Sequence, residues 1–433
     1  MKIVQRKSRG GGVSLAILFL TILLMGCSQE YELPTVEDID DLPIVEEYVP
    51  VTEEKESEAE QRKILGRLID EYLIEQNFSG VVLISRGGEI VLREAYGMAN
   101  RVQNIENTVY TPFHIASITK QMTGAAIITL IEDGYLDLNN TLDMFFPEHE
   151  NLDSLTLAHL LTMSAGFHEY TPTYIGYVLN RIDEMMGEPI PRGRHRDMDR
   201  ILISEMSWTP YAIEIMESLT IEDLEAYILS RPNDAAVGRF SYSNSDYILL
   251  GRIIDLVSGM AYEEYVKSRL FAPVRMLNSG FLNSEFEGLP ARAYGHCRNG
   301  YALIPAPFVL FYSTGGAVST VDDLSLWLDA YFGGSLFDES MLDQVFTGEN
   351  TYNKGWFFID SSIWVHPGAI SGFNTMIIYE RDSDTKIIML SNEEVLGNLG
   401  QCLFNQHVLN ISEWVLGERI SHMPWRSWRI ALG

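Results

Sequence analysis

In the stretch HIASITKQMTGAAIITLIEDGYLDL, His114 to Leu138, a serine and a lysine stand three residues apart at the opening of an apolar run. If the run is a helix, Ser117 and Lys120 share one face. Such a helix is apolar over much of its surface, so its first turn is at least partly out of water. A cation is poorly placed there, because the helix dipole opposes it and desolvation penalises an ammonium. The same setting lowers the lysine's pKa, and a lysine that has lost its proton can take the one on a serine hydroxyl. Backbone N–H groups at the helix start would also favour negative charge on an attacked carbonyl oxygen. The chemistry indicated is acyl transfer, with Ser117 as nucleophile and Lys120 as its base. S-x-x-K is a common pairing, however, and its ordinary meaning is a surface serine beside a solvated lysine.

Two further elements bear on that choice. RFSYSNSDYILLGRIIDLVSG places Tyr242, Ser243 and Asn244 just before a second helical pattern. Taken alone, this is a tyrosine packed at a helix cap, with Asn244 or Ser245 capping. VHPGAISGF sets His366 and Gly368 at the end of an apparent strand. A histidine there is usually structural, whereas a glycine permits close backbone approach of a ligand.

In this order the three elements resemble the serine β-lactamase and penicillin-binding-protein family, most closely its class C and D,D-peptidase/esterase branch. The family signature S-x-x-K, S-D-N, K-T-G corresponds here to Ser117–Lys120, Tyr242–Asn244 and His366–Gly368. GVVLISRGGEIVLREAYGMAN, LLTMSAGF, YSTGGAVSTVDDLSLWL and HPGAISGFNTMIIYERDSDTKIIMLSN are similar to the family as well, and together the likeness covers nearly all of residues 61 to about 396. The resemblance implies that Ser117 forms an acyl-enzyme. Lys120 and Tyr242 would share the general-base duty, the cation lowering the phenol's pKa so that a phenolate accepts the serine proton. Asn244 would hydrogen-bond Lys120 or a substrate amide, and His366 would stand where many relatives carry lysine. Substrate would rest against His366, Gly368 and Ala369, with the backbone N–H groups of Ser117 and Ala369 forming an oxyanion hole.

The departures bear on substrate. Pro367 has neither a hydroxyl nor an N–H to offer a carboxylate, and a neutral His366 carries less charge than lysine near pH 7. Both weaken a dedicated β-lactamase, and no glutamate stands out as a deacylating base. The expected activity is therefore D,D-peptidase- or esterase-like, on peptidoglycan-type or D-amino-acid amides and esters. A class C-type β-lactamase and a penicillin-binding sensor that does not turn over are the alternatives. The signatures G-x-S-x-G, H-E-x-x-H and G-x-x-x-x-G-K-[ST] are absent.

The elements that must position these residues read as follows. QRKILGRLIDEYLIEQ has apolar residues at helical spacing, and FSGVVLISRGGEIVLREAYGMAN is a hairpin around RGGE. TLDMFFPE and LTLAHLLTMSAGF bring helices and turns. Residues 219 to 270 are strongly helical, broken at RPNDAAVGRFSYSNSD. GGAVST, GWFFI, SIWVHPG, NTMIIYE and KIIMLSN return to strands, and a last helix spans roughly 395 to 417. Strands at both ends with helices between predict an α/β (α+β) fold: one sheet built from both chain ends, flanked by helices, with a mostly helical subdomain inserted. The resemblance implies the same arrangement, antiparallel.

Composition sets the surroundings. The 433 residues hold 31 Lys+Arg against 60 Asp+Glu, a formal net charge of −29, which makes a phosphate backbone an improbable partner. MKIVQRKSRGGG carries four cations and no acid, and VSLAILFLTILLMGC follows with a short apolar core. Together they read as an export signal over residues 1–26. LLMGC resembles a bacterial lipobox, which implies cleavage before Cys27, lipidation of its thiol, and a protein anchored to the outer face of the cytoplasmic membrane. Ser28 to Glu60 holds thirteen acids, one lysine and three prolines. A segment of that kind repels itself and builds no core, so 27–60 is expected to be a tether and 61–433 the hydrolase domain. Residues 170–217 read as an extra insertion containing PIPRGRHRDMDR, either a lid for acidic substrates or a solvated loop. HMPWRSWRIALG at the end is expected to pack on the domain. Cys297 and Cys402 could pair outside the cytoplasm, but no zinc spacing occurs. No cofactor or metal is called for, the partner is a small-molecule or peptide substrate, and nothing in the sequence sets an oligomeric state.

Overall fold

The computed structural model describes residues 57–417, apart from 172, 175–183, 185–217, 282–295, 298–307, 338–351, 371 and 395–397. The export signal, the tether, Cys27, nearly all of the insertion and the C-terminal WRSWR stretch lie outside the described residues. So do the side chains of Cys297 and Cys402.

Helix α1 (Glu58–Glu75) precedes a hairpin of β1 (Gly80–Arg86) and β2 (Glu89–Tyr96). Gly87 and Gly88 make the turn at φ +59° and +77°. Two consecutive left-handed residues match the right-handed twist of the flanking strands, and glycine takes them without strain. Short strands β3 (Met98–Asn100), β4 (Ile105–Glu106) and β5 (Phe113–His114) lead to a 3₁₀ turn, Ala116–Ile118, and to helix α2 (Thr119–Glu132). Helices α3 (Leu157–Leu161), α4 (Ile221–Leu229), α5 (Asn244–Ser258) and α6 (Tyr262–Val266) follow. Next come β6 (Gly280–Phe281), β7 (His296–Cys297), α7 (Tyr312–Gly315), β8 (Ala317–Ser319) and α8 (Val321–Phe332). The C-terminal part supplies β9 (Tyr352–Asn353), β10 (Trp356–Phe358), β11 (Ile363–Ile370), β12 (Phe373–Glu380), β13 (Thr385–Ser391), β14 (Glu393–Glu394) and α9 (Asn398–Leu416).

The main sheet runs β2-β1-β13-β12-β11-β10-β9, antiparallel throughout. It joins the two ends of the chain as expected: Gly80 of β1 pairs with Ser391 of β13. Every residue of β12 and β13 is buried, which is why these strands read as continuous apolar runs rather than alternating ones. Helix α8 packs across β1 and β13, while α1 packs on β2 and meets α9. One strand falls elsewhere than expected. GGAVST forms β8, which joins β5 and β6 in a separate three-stranded sheet. That small sheet holds the segment just before Ser117.

Helix α2 is buried from Thr119 through Leu130, a core helix rather than an amphipathic one. Helix α5 is capped by Ser243, not by Asn244 or Ser245: its hydroxyl accepts the N–H of Asp246 at 3.0 Å. The helix ends at Gly259 in the left-handed region, φ +68°. Strand β10 pairs with β11 only at Val365 and Trp364. Beyond Val365, the side of β11 away from β12 therefore has no strand partner among the described residues.

Candidate active site

Ser117 is the one side chain between Phe113 and Leu130 that is not fully buried. The turn that presents it is stitched to β8. Ile115 N–H donates to Ala317 O at 3.1 Å, and Ala317 N–H donates to Thr119 Oγ1 at 3.1 Å. Ala116, just before the serine, sits at φ +47°. For a residue with a Cβ this is sparsely populated backbone, strained by about 1–3 kcal/mol and held only by its surroundings.

Lys120 follows one turn later and is 0 % exposed. Its Nζ donates to Ser117 Oγ at 3.2 Å and to Thr314 O at 2.9 Å. It lies 5.1 Å from the centre of the Tyr242 ring and 5.9 Å from that of Tyr247. Burial lowers its pKa to about 7, against a smaller opposing effect of the Glu169 carboxylate. A large fraction of Lys120 is thus neutral near pH 7, as a base beside a serine requires.

The Tyr242 hydroxyl is buried and makes no hydrogen bond of good geometry among the described residues. Burial raises the phenol's pKa far above its usual range, and the nearby Ser117 hydroxyl opposes that only in part. Burial thus works against the phenolate that a shared base duty would need. The Tyr242 ring packs against Tyr352 and Phe357, with centroids 6.1 Å away in each case.

Asn244 departs from expectation. Its side-chain amide donates to Glu169 Oε1 at 3.1 Å and to Thr171 Oγ1 at 3.0 Å, and its backbone N–H to Glu169 Oε2 at 2.7 Å. It does not reach Lys120, and both amide hydrogens are taken. Glu169 was not singled out from the sequence. Its one signal was a carboxylate two residues after the SAGF stretch, and a contact 75 residues apart is not legible from spacing.

His366 is 0 % exposed and therefore does not present itself to a substrate. Its Nδ1 faces Pro367 O at 2.6 Å and must carry the proton, so Nε2 accepts from the Tyr352 hydroxyl at 3.1 Å. Burial, and then the Lys120 charge, lower its pKa to about 3, so it is a neutral imidazole.

Gly368 is where β11 meets the serine turn. A Cβ there would lie 2.2 Å from Thr375 Oγ1 and 2.5 Å from Ile115 O. Thr375, which the sequence also did not single out, donates from its buried hydroxyl to Ile115 O at 3.0 Å. This close packing brings the backbone of Gly368–Ala369 against Ala116–Ser117. Gly368→Ala is expected to push the strand from the turn and lower kcat/KM by about 10²-fold, the order that a 1 Å misplacement costs. Wild-type rates in a folded Gly368→Ala protein would show that the approach is not required.

Asp246 lies in the first turn of α5, fully buried. One oxygen accepts from the Ser243 hydroxyl at 2.7 Å and the other has no partner among the described residues. Burial raises its pKa to about 8, with the Ser243 hydroxyl opposing. Between its unfolded value near 4 and about 8, the folded protein keeps this proton while the unfolded chain has lost it. Its contribution to stability therefore falls as pH rises through that window, by at most about 1.4 kcal/mol per pH unit. In urea unfolding, Asp246→Asn should gain on wild type steadily from pH 5 to pH 8. A difference independent of pH would contradict the assignment.

Among the described residues no three His, Cys, Asp or Glu side chains are grouped to hold a metal ion. Nor is any helix among them long and apolar enough to cross a membrane.

Comparison with known proteins agrees with this geometry. PbpX of Bacillus subtilis (strain 168), which bears a penicillin-binding-protein name, is 28% identical over 355 residues, 80% of this chain and 79% of its own. FmtA from Staphylococcus aureus superposes with a TM-score of 0.64 at 17% identity, covering 83% of this chain and 90% of that one. The D-amino acid amidase of Ochrobactrum anthropi SV3 superposes with a TM-score of 0.63 at 19% identity, covering 84% and 100%. At these identities the two structures speak for the fold. The family model described as Beta-lactamase matches residues 65–400, so this chain, with its Ser117–Lys120 pair, belongs to the β-lactamase family.

Proposed function

We propose that this chain is a serine hydrolase working through an acyl-enzyme, with D,D-peptidase- or esterase-like action on D-amino-acid or peptidoglycan-type amides and esters. The observation that carries the reading is a fully buried amine, 3.2 Å from the one partly exposed hydroxyl of its segment. Ser117 Oγ attacks the substrate carbonyl while its proton passes to the Lys120 amine. The carbonyl oxygen gains negative charge between the N–H groups of Ser117 and Ala369. Collapse breaks the bond to the leaving amine or alcohol, which takes a proton from the Lys120 ammonium. Water then attacks the ester and yields a proton to Lys120, which returns it to Ser117 Oγ as that bond breaks and the acid product departs.

The substrate class is supported by what stands at the β11 end of the site. His366 is neutral and buried and Pro367 offers no donor, so neither supplies a charge for a β-lactam carboxylate. The amidase likeness points the same way. The penicillin-binding name of the Bacillus relative keeps a class C-type β-lactamase as the second reading. We also propose that the chain is exported and held at the membrane through Cys27.

The test is intact-protein mass spectrometry after exposure to a fluorophosphonate and to a fluorescent penicillin, with the adduct mapped. It is paired with steady-state rates on a D-Ala-D-Ala peptide, a D-amino-acid ester and nitrocefin. An adduct on Ser117 with ester or peptide turnover supports the reading. Dominant nitrocefin turnover selects the β-lactamase, and an adduct elsewhere overturns both.

A further inference from the structure

The mechanism above leaves one charged group of the site unused. Glu169 is half-buried. Its Oε1 accepts from Asn244 Nδ2 at 3.1 Å, from Thr171 N–H at 3.1 Å and from the Thr171 hydroxyl. Its Oε2 accepts only the Asn244 N–H, at 2.7 Å. A carboxylate oxygen has room for a second donor. Among the described residues Glu169 forms no ion pair. It is tied to the site through Asn244, which stands two residues after Tyr242 at the start of α5, and its charge is a minor influence on Lys120 and Tyr242. The ground around it is acidic too: its own N–H donates to Asp234 Oδ2 at 3.3 Å.

Asn244 makes the argument directional. Glu169 can only accept, so the nitrogen of the Asn244 amide must face it. The second amide hydrogen goes to Thr171. Asn244 therefore has no hydrogen left for the carbonyl of an N-acyl group, and what the pair still offers is acceptors: Asn244 Oδ1 and Glu169 Oε2. The buried Tyr242 hydroxyl two residues earlier likewise makes no hydrogen bond of good geometry among the described residues. A ligand group rich in N–H donors and positively charged would satisfy this wall, whereas an acylated nitrogen would not.

We propose that Glu169, held in place by Asn244, binds the free ammonium of an aminoacyl substrate, so that the enzyme prefers amides or esters of amino acids with an unblocked α-amine. This rests on the acyl-transfer reading of Ser117 and adds no covalent step to it.

The test compares alanine p-nitroanilide with N-acetylalanine p-nitroanilide, each as the D and the L enantiomer, on wild type and Glu169→Gln. Binding is read separately as protection of Ser117 from fluorophosphonate by alaninamide or N-acetylalaninamide. In wild type the free amine should be favoured in kcat/KM by about tenfold or more, the order of one charge-assisted hydrogen bond. Glu169→Gln should compress that ratio towards one. A preference for the N-acetyl compounds, or an equal loss on both in Glu169→Gln, overturns the subsite while Ser117 acylation stands. If neither anilide is turned over, or if the variant does not fold, protection of wild type decides: alaninamide must protect and its N-acetyl form must not. No labelling of Ser117 at all overturns the parent reading and this one with it.

Discussion

A Ser117→Ala protein is expected to take up no fluorophosphonate or penicillin adduct and to lose about 10⁴-fold or more in kcat/KM on esters. Removing the nucleophile leaves only binding and the oxyanion donors, and these cannot replace a covalent intermediate. The change deletes one partly exposed hydroxyl that accepts from Lys120 Nζ at 3.2 Å. The helix behind it is apolar and buried throughout, so the fold should survive and the melting temperature should move little. Full turnover in a folded Ser117→Ala protein would end the acyl-enzyme proposal.

The second large effect concerns Lys120. In wild type, kcat/KM should rise tenfold per pH unit below about 7 and level off above it, because the base works as the neutral amine and its pKa is lowered to about 7. The sign follows from the group: an ordinary lysine, protonated to beyond pH 10, would keep the limb rising through the whole neutral range. Lys120→Met should lower the rate by about 10²–10⁴-fold, the usual contribution of a positioned base, and remove the break near 7. Methionine fills similar space without a charge that must be desolvated, so the variant should fold at least as well as wild type. A profile with the same break in Lys120→Met would move the base elsewhere, with the Tyr242 hydroxyl the next group to examine.

Much of this was legible in the sequence. RGGE read as a hairpin because two glycines can occupy consecutive left-handed positions, and residues 87 and 88 do. The sheet built from both ends was legible because its central strands are apolar without interruption. Membership of a sheet was not: GGAVST has strand character, but nothing local says which strands it will meet. Ser117 and Lys120 announced themselves by being out of place, a polar pair opening an apolar helix. Glu169 and Thr375 did not, because each works through a contact across 75 or more residues that leaves no periodic trace. The setting of the tyrosine was less legible than its position: a cation nearby argues for a low pKa, but burial opposes it at the phenol and lowers the lysine as well. His366 shows the same gap between type and setting, since depth in the sheet decides its charge.

The pairing of Gly80 with Ser391 has a consequence in time. Contacts so distant along the chain form late, since closing a long loop must precede any gain from it. Ser117 and Lys120 are synthesised early, yet the strands that brace their turn, β11 with Gly368 and β12 with Thr375, belong to the last quarter of the polypeptide. Until that portion has emerged and docked, the hydroxyl and the amine have nothing to hold them in register. A nascent chain is accordingly inert, and hydrolytic competence begins only when the two ends have found each other.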